Sequence, residues 1–264
     1  LSLIGCALHP LNHFTCAATG EDGNSDVGIV EALKDINGAF TNTEVQLVYW
    51  PADLQKQLGA LKRIAFMSYP RNRPSGKLPL LITLHGAGGK AMSLTKQLIR
   101  SSQVKGLSLA ELAGKDLILL EPNSADSWDP NSLNRMLDFV LNTDEQIDRN
   151  RVYVMGHSMG GAGTWNWILQ SADRFAAAAP CGFSSGTSTE GLEKLTRLPV
   201  WGMVGGEDGN NVAAIQTMVN NLRASGNTNV GLTAFPGANH AKGNAAVFSS
   251  VNLVDWMLTF SLTK

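Results

Sequence analysis

At 264 residues, with 44% hydrophobic and 16% charged side chains, the chain can bury the core of one α/β domain and has an ordinary globular composition. Lysine and arginine number 21 against 22 aspartates and glutamates, and the formal charge of -1 gives no electrostatic reason to expect nucleic acid or an anionic membrane as partner. No apolar run reaches the roughly 18 residues that cross a bilayer, so no transmembrane segment is expected.

The first 25 or so residues show no clear periodicity. Leu3-Ile4-Gly5-Cys6 looks like the tail of a lipoprotein processing site, but no charged segment and no full apolar stretch precede it. An ordinary N-terminal segment and a processed, exported one both stay open, with a lean towards export. A Cys6–Cys16 disulfide is compatible with the second, and no C-x-x-C spacing suggests a metal or redox site. Gly20-Glu-Asp-Gly-Asn-Ser-Asp26 alternates carboxylates like a calcium loop, yet the glutamate expected at its twelfth position is missing. It reads as a solvated loop.

Val27 to Ile36 can form a short helix, and Glu44 to Trp50 alternates as a strand. Lys62 to Tyr69 is predicted as the next strand. The prolines of Tyr69-Pro-Arg-Asn-Arg-Pro-Ser-Gly76 then forbid a regular element. Leu78 to His85 reads as a buried strand, Ala91 to Arg100 as a helix and Asp116 to Glu121 as a further strand. Apolar residues from Leu133 to Ile147 recur at helical spacing, so a helix is predicted over Asn131 to Asp148. Strands follow at Arg151 to Met155, Phe175 to Pro180, Pro199 to Val204 and Val230 to Phe235. Helices fit at Ala162 to Gln170, Val212 to Ser225 and Ala245 to Phe260. Strands apolar on both faces, alternating with helices, imply a mostly parallel sheet covered on both sides. The division expected is an N-terminal extension over residues 1–60, packed on or preceding one catalytic domain over 61–264.

Within that pattern, Gly156-His157-Ser158-Met159-Gly160 is a G-x-S-x-G sequence lying between a β-branched run and a helix. Such a serine sits on a strained strand-to-helix turn with helix N–H groups aimed at the same spot, which makes Ser158 the candidate nucleophile. A serine hydroxyl needs a base, and the base needs an acid to orient it. With chain order serine, acid, histidine, His240 is the one histidine downstream of Ser158. Of the intervening acids, Asp173 is carried away by the helix, and Glu190 and Glu193 follow no strand. Asp208, at the end of the Pro199 to Val204 strand, is preferred, with Glu207 as the alternative. Leu84-His-Gly-Ala-Gly-Gly89 supplies a backbone able to hold an oxyanion, with donors expected from Ala87 and Met159 and with Gly86 and Gly88 as neighbours. The loop lacks the G-K-[ST] ending of a phosphate loop, and neither a cofactor nor a metal is expected. His85 and His157 are read as structural. Trp128 and Trp165 are candidates to line a substrate pocket, although a packing role for Trp165 and Trp167 fits equally.

Together these segments resemble the α/β-hydrolase superfamily. More narrowly, the chain is similar to the phospholipase/carboxylesterase and predicted-peptidase group related to feruloyl esterases and polyhydroxybutyrate depolymerases. Carrying the resemblance are Leu84 to Gly89, Pro122-Asn-Ser with Trp128, Ile147 to Val154, Gly156 to Trp165, Phe175 to Gly182, Pro199-Val-Trp201 and Gly205-Gly-Glu-Asp208. The chain departs from the group in Gly-Asn-Asn-Val after Asp208, in the residue after the histidine motif, and in its first 60 residues. The resemblance implies Ser158, Asp208 and His240 at the catalytic positions and Ala87 and Met159 at the oxyanion positions. It implies a serine hydrolase acting on small-molecule carboxylic esters. A peptidase, an acyltransferase and a non-catalytic binding module are the other readings.

Overall fold

The computed structural model describes residues 27–262. In chain order the elements are α1 (Val27–Ala39), β1 (Thr43–Tyr49), the single turn α2 (Ala52–Gln55), β2 (Ile64–Pro70), β3 (Leu78–Leu84), α3 (Leu94–Val104) and α4 (Gly106–Ala113). Then come β4 (Ile118–Glu121), α5 (Pro130–Thr143), β5 (Ile147–His157), α6 (Met159–Ser171), β6 (Ala177–Cys181), β7 (Val200–Gly205), α7 (Asn210–Ala224), β8 (Val230–Phe235), α8 (His240–Val247) and α9 (Val251–Met257). The strands form one eight-stranded sheet in the order β1-β2-β4-β3-β5-β6-β7-β8. β2 is antiparallel to both β1 and β4, and every pair from β4 to β8 is parallel.

The central strands are apolar on both faces because each face has its own core. Along β3, Leu80, Ile82 and Leu84 enter one core and Leu81 the other; along β5, Val152 and Val154 oppose Tyr153 and Met155 in the same way. The first core is closed by Leu133, Met136, Leu137 and Val140 of α5, Trp165 and Ile168 of α6, and Ile215, Met218 and Leu222 of α7. The second is closed by Ile29 and Ile36 of α1, Leu98 of α3, Leu107 and Leu109 of α4, and Leu253 and Met257 of α9. This is the predicted architecture.

Three elements depart most from the sequence expectation. The helix predicted to run to Asp148 starts at an Asp129 cap, whose carboxylate accepts the Asn131 and Ser132 N–H groups, but stops at Thr143. There the Asp144 side chain takes the Gln146 N–H at 2.9 Å and the Tyr69 hydroxyl at 2.7 Å, turning the chain into a longer β5. Helix α4 was not anticipated. Its signal is Gly114, left-handed at φ 56° just after the apolar Leu107 to Ala113 run. The predicted C-terminal helix over Ala245 to Phe260 is two helices, because Ser249 and Ser250 hydroxyls bond back to the Ala246 carbonyl and break the run. Residues 27–60 pack on the domain: β1 pairs along its whole length with β2, and α1 supplies part of the second core. The processing-site resemblance, the Cys6–Cys16 pair and the calcium-like loop lie outside the described residues. Cys181 is buried in β6, and burial pushes its thiol up to about 12.

Candidate active site

The site lies where β3, β5, β7 and β8 deliver their carboxyl ends. Ser158 follows β5 at φ 63° and ψ -125°, the one positive-φ residue other than glycine among those described. The turn is possible because its neighbours have no side chain. A Cβ on Gly156 would sit 2.9 Å from the Leu84 carbonyl oxygen, and one on Gly161 would lie 3.0 Å from the Cys181 carbonyl carbon. So β-sheet and helix backbones meet at van der Waals contact, and Ser158 is left facing the cleft.

His240 is the first residue of α8, which is capped by the Asn239 side chain accepting the Lys242 N–H at 3.1 Å. Its Nε2 lies 2.9 Å from Ser158 Oγ, and its Nδ1 lies 2.9 and 2.8 Å from the two oxygens of Asp208. A carboxylate only accepts, so Nδ1 carries the proton and Nε2 presents its lone pair to the serine hydroxyl. The Asp208 side chain is 6% exposed and that of His240 is 47% exposed. Asn211 donates from Nδ2 to Asp208 Oδ1 at 3.1 Å and fixes the carboxylate from the other side. Glu207, the alternative acid, is exposed and makes no hydrogen bond or ion pair with His240.

Ala87 opens a short 3-10 turn, Ala87–Gly89, and Met159 opens α6; neither N–H has a partner within its own helix. Gly86 packs against the serine, since a Cβ there would be 3.4 Å from Ser158 Cβ. The loop is braced from behind. Ser124 N–H donates to His85 Nε2 at 3.0 Å, which leaves the His85 proton on Nδ1, donated to the Gly86 carbonyl at 2.9 Å. Gln97 adds a bond to the Gly89 carbonyl at 2.8 Å.

Neither tryptophan lines the cleft: the pocket expectation fails for Trp128, and for Trp165 the packing alternative is the one found. Trp128 is 4% exposed, donates to the His85 carbonyl at 3.0 Å and stacks edge-on with the His85 ring at 4.7 Å. It also fills the space left by Gly163, so its work is to hold the loop to α6. Trp165 is 2% exposed and packs near Phe183 in the first core. Both rings are large enough that burial in the core outweighs presentation in an open cleft.

His157 forms a floor under the base, its ring 4.7 Å from that of His240. Gly182 (φ +57°) leaves room for the ring, and His157 Nε2 is buried with no hydrogen-bond partner. Burial, with repulsion from His240 and Lys105, pushes His157 down to about 3, and burial pushes His85 down to about 4. Both therefore stay neutral beside a base that must take up a proton. Among the described residues, one His/Asp group has donor atoms close enough to hold a cation, namely His157, Asp208 and His240 within 4.8 Å. Two of its three members already satisfy each other by hydrogen bonding.

The two depressed histidines set an acid limit. Unfolded, each binds a proton near pH 6.5; folded, neither does until about pH 4 or 3, so the unfolded chain holds more protons in that window. Stability is therefore fully present above pH 6.5 and falls as the pH drops towards 4 and 3. The loss amounts to several kcal/mol, since each tenfold difference in proton affinity between the folded and unfolded chain is worth about 1.4 kcal/mol. The urea midpoint is expected to be clearly lower at pH 4.5 than at pH 7.5; equal midpoints would contradict this account of the two rings.

These features define the fold class: the chain has an α/β-hydrolase-like fold, with Ser158, His240 and Asp208 in hydrogen-bonding contact at the rim of its sheet. Residues 130–247, from α5 through α8, match the model of the Dienelactone hydrolase family. A curated relative, the bifunctional acetylxylan esterase/xylanase XynS20E of Neocallimastix patriciarum, is 27% identical over 166 residues, which is 59% of this chain and 23% of that protein. The chain thus spans about a quarter of that relative's length. Among solved structures, a thermostable esterase superposes with TM-score 0.65 at 21% identity, over 86% of this chain and 64% of that one. The feruloyl esterase module from Clostridium thermocellum, complexed with sinapinate, gives 0.56 at 17% identity, over 80% and 87%. At these identities the superpositions speak for the fold.

Proposed function

We propose that the chain is a cofactor-independent serine hydrolase of small carboxylic esters. The observation carrying this reading is the continuous relay from Ser158 Oγ to His240 Nε2 at 2.9 Å and from His240 Nδ1 to Asp208 at 2.8 Å. The matched family is named for dienelactone hydrolase, and the relative's name includes acetylxylan esterase beside xylanase, which agrees with it.

In this mechanism Ser158 Oγ attacks the ester carbonyl carbon while its proton passes to His240 Nε2. The carbonyl oxygen becomes an oxyanion and is met by the Ala87 and Met159 N–H groups, with Met159 backed by the N-terminus of α6. Asp208, buried and held by Asn211, keeps the imidazole in the right tautomer and stabilises its charged form. As the tetrahedral intermediate collapses, His240 gives its proton to the departing alkoxide and the acyl group stays on Ser158. Water then attacks the acyl-enzyme, losing a proton to His240, and the second collapse returns that proton to Ser158 and frees the acid. The cleft in front of Ser158 holds about 350 Å³, room for a small ester.

The test is covalent labelling with a fluorophosphonate probe together with turnover of 4-nitrophenyl acetate. Stoichiometric labelling that maps to Ser158, with loss of turnover, is the expected result. Folded protein that neither labels nor turns over any ester would leave a non-catalytic scaffold.

A further inference from the structure

His157 is buried against the triad, and the ester mechanism gives its side chain no chemical step. Its Nε2 is enclosed and has no hydrogen-bond partner, a costly state for a polar atom unless a ligand uses it. The backbone keeps other side chains away from that nitrogen. Gly182, left-handed at φ +57°, lies against it, and a Cβ on Gly243, in the first turn of α8, would stand 3.7 Å from it. Nε2 therefore lies beside the same helix start that carries His240.

One ring nitrogen of His157, one oxygen of Asp208 and one ring nitrogen of His240 lie within 4.8 Å of one another. Nε2 is the His157 nitrogen without a partner, and Nδ1 of His240 is the one already 2.8 Å from Asp208. Two imidazole nitrogens and a carboxylate oxygen are a donor set that zinc accepts, with water as fourth ligand. Bonds of about 2.0–2.1 Å to one tetrahedral ion put donors about 3.4 Å apart, so a gap of 4.8 Å has to close by about 1.4 Å. His240 is half-exposed at the start of its helix and has room for that movement. Arg100 and Lys105 line the same cleft and oppose a further cation, so the coordinate bonds have to supply the affinity. That favours nitrogen-binding ions over Mg²⁺ and Ca²⁺, which take oxygen donors.

We propose that His157 Nε2, Asp208 and His240 Nδ1 form an inhibitory site for Zn²⁺, which switches the hydrolase off by inverting the tautomer of its base. The inhibition rests on the ester-hydrolase reading; the binding does not. In the free triad the His240 proton sits on Nδ1, and Nε2 offers its lone pair to Ser158. Zn²⁺ needs the lone pair of Nδ1. The Nδ1 proton leaves to water, Nε2 takes one from water, and the ring stays neutral with its N–H now directed at Ser158 Oγ. A nitrogen that already carries a proton cannot accept the one from serine, so attack stops. Removing the ion reverses both transfers.

The experiment is inhibition of 4-nitrophenyl acetate turnover by Zn²⁺ at neutral pH, in a buffer that does not chelate it. Wild type is expected to be half-inhibited by micromolar Zn²⁺, to ignore millimolar Mg²⁺ and to recover in EDTA. His157→Phe keeps a ring against His240 and removes both nitrogens, so about tenfold more Zn²⁺ or beyond should be needed there. Half-inhibition is read against each variant's own zinc-free rate, so a general loss of activity divides out. His157→Leu repeats the measurement if the phenylalanine does not fit. Wild-type turnover indifferent to micromolar Zn²⁺, or the same half-inhibition in a His157 variant, overturns the proposal and leaves the hydrolase reading standing. If no ester is turned over, Co²⁺ in place of Zn²⁺ decides independently through the visible absorption of a four-coordinate ion. A band in wild type that is lost in His157→Phe and in His240→Ala supports the site; no band, or the same band in either variant, ends it. His240→Ala, at a half-exposed position, carries this measurement if neither His157 variant folds.

Discussion

Ser158→Ala is expected to lower kcat/KM for 4-nitrophenyl acetate by about 10⁴-fold or more, and adding His240→Ala to cost almost nothing further. The two side chains share one proton through a 2.9 Å contact, so removing either one abolishes the same event. Penalties of groups that act as a unit do not add. Asp208→Asn is expected to cost less than Ser158→Ala but still about 10³-fold or more, because an amide facing His240 Nδ1 favours the wrong tautomer. Glu207→Gln is the internal control, since that side chain is exposed and makes no hydrogen bond to the imidazole. Steady-state rates on these four variants and on His240→Ala alone, with circular dichroism to check folding, decide the matter. A double variant whose loss equals the product of the single losses would mean that Ser158 and His240 do not share a step. Full activity in Asp208→Asn would remove the acid from the scheme.

Much of this site was legible in the chain because its logic is local. The elbow is five consecutive residues whose glycines serve backbone contact, and the order of serine, acid and histidine left one histidine to choose. Asp208 could be preferred over Glu207 because a buried strand followed by two glycines delivers it, though its separation from Glu207 by burial required the folded chain. That Arg100 and Lys105 line the cleft beside Ser158 was not legible. Arg100 and Lys105 lie near the end of one helix and at its junction with the next, and a run of helical periodicity says nothing about which cation is folded under a loop. Asn211 and Asn244 were missed for the same reason: each is a polar residue on a helix, and its partners come from a distant element. Trp128 was misplaced for a different reason. A tryptophan beside a predicted loop suggests a pocket, but Trp128 fills the hole that Gly163 leaves on α6, a pairing between residues 35 apart that depends on helix packing.

Gly160→Ala is expected to be the most damaging single methyl in the described chain outside the reacting groups. A Cβ at Gly160 would overlap the Leu84 carbonyl oxygen, lie 2.7 Å from its carbon and 3.0 Å from the His85 carbonyl oxygen. Those are backbone atoms of a strand paired on both sides, by β4 and by β5, so no side chain can swing away to make room. The alternatives are to push α6 off the sheet or to displace the end of β3, at a cost of about 3 kcal/mol or more, roughly 10 °C in Tm for a chain of this size. Gly38→Ala supplies the contrast: it lies in α1 with no atom within 4 Å of an added Cβ, and it should be neutral or stabilising by about 0.5–1 kcal/mol. Thermal unfolding of the two variants beside wild type separates a packing constraint from a general dislike of added methyls. If Gly160→Ala folds as well as wild type, the close approach of α6 to β3 is not what holds the elbow. Activity adds a second readout, because β3 leads directly into the Gly86–Gly89 loop. A displaced strand end moves the Ala87 N–H as well as the Ser158 hydroxyl, so any Gly160→Ala protein that does fold should lose kcat out of proportion to its loss of stability.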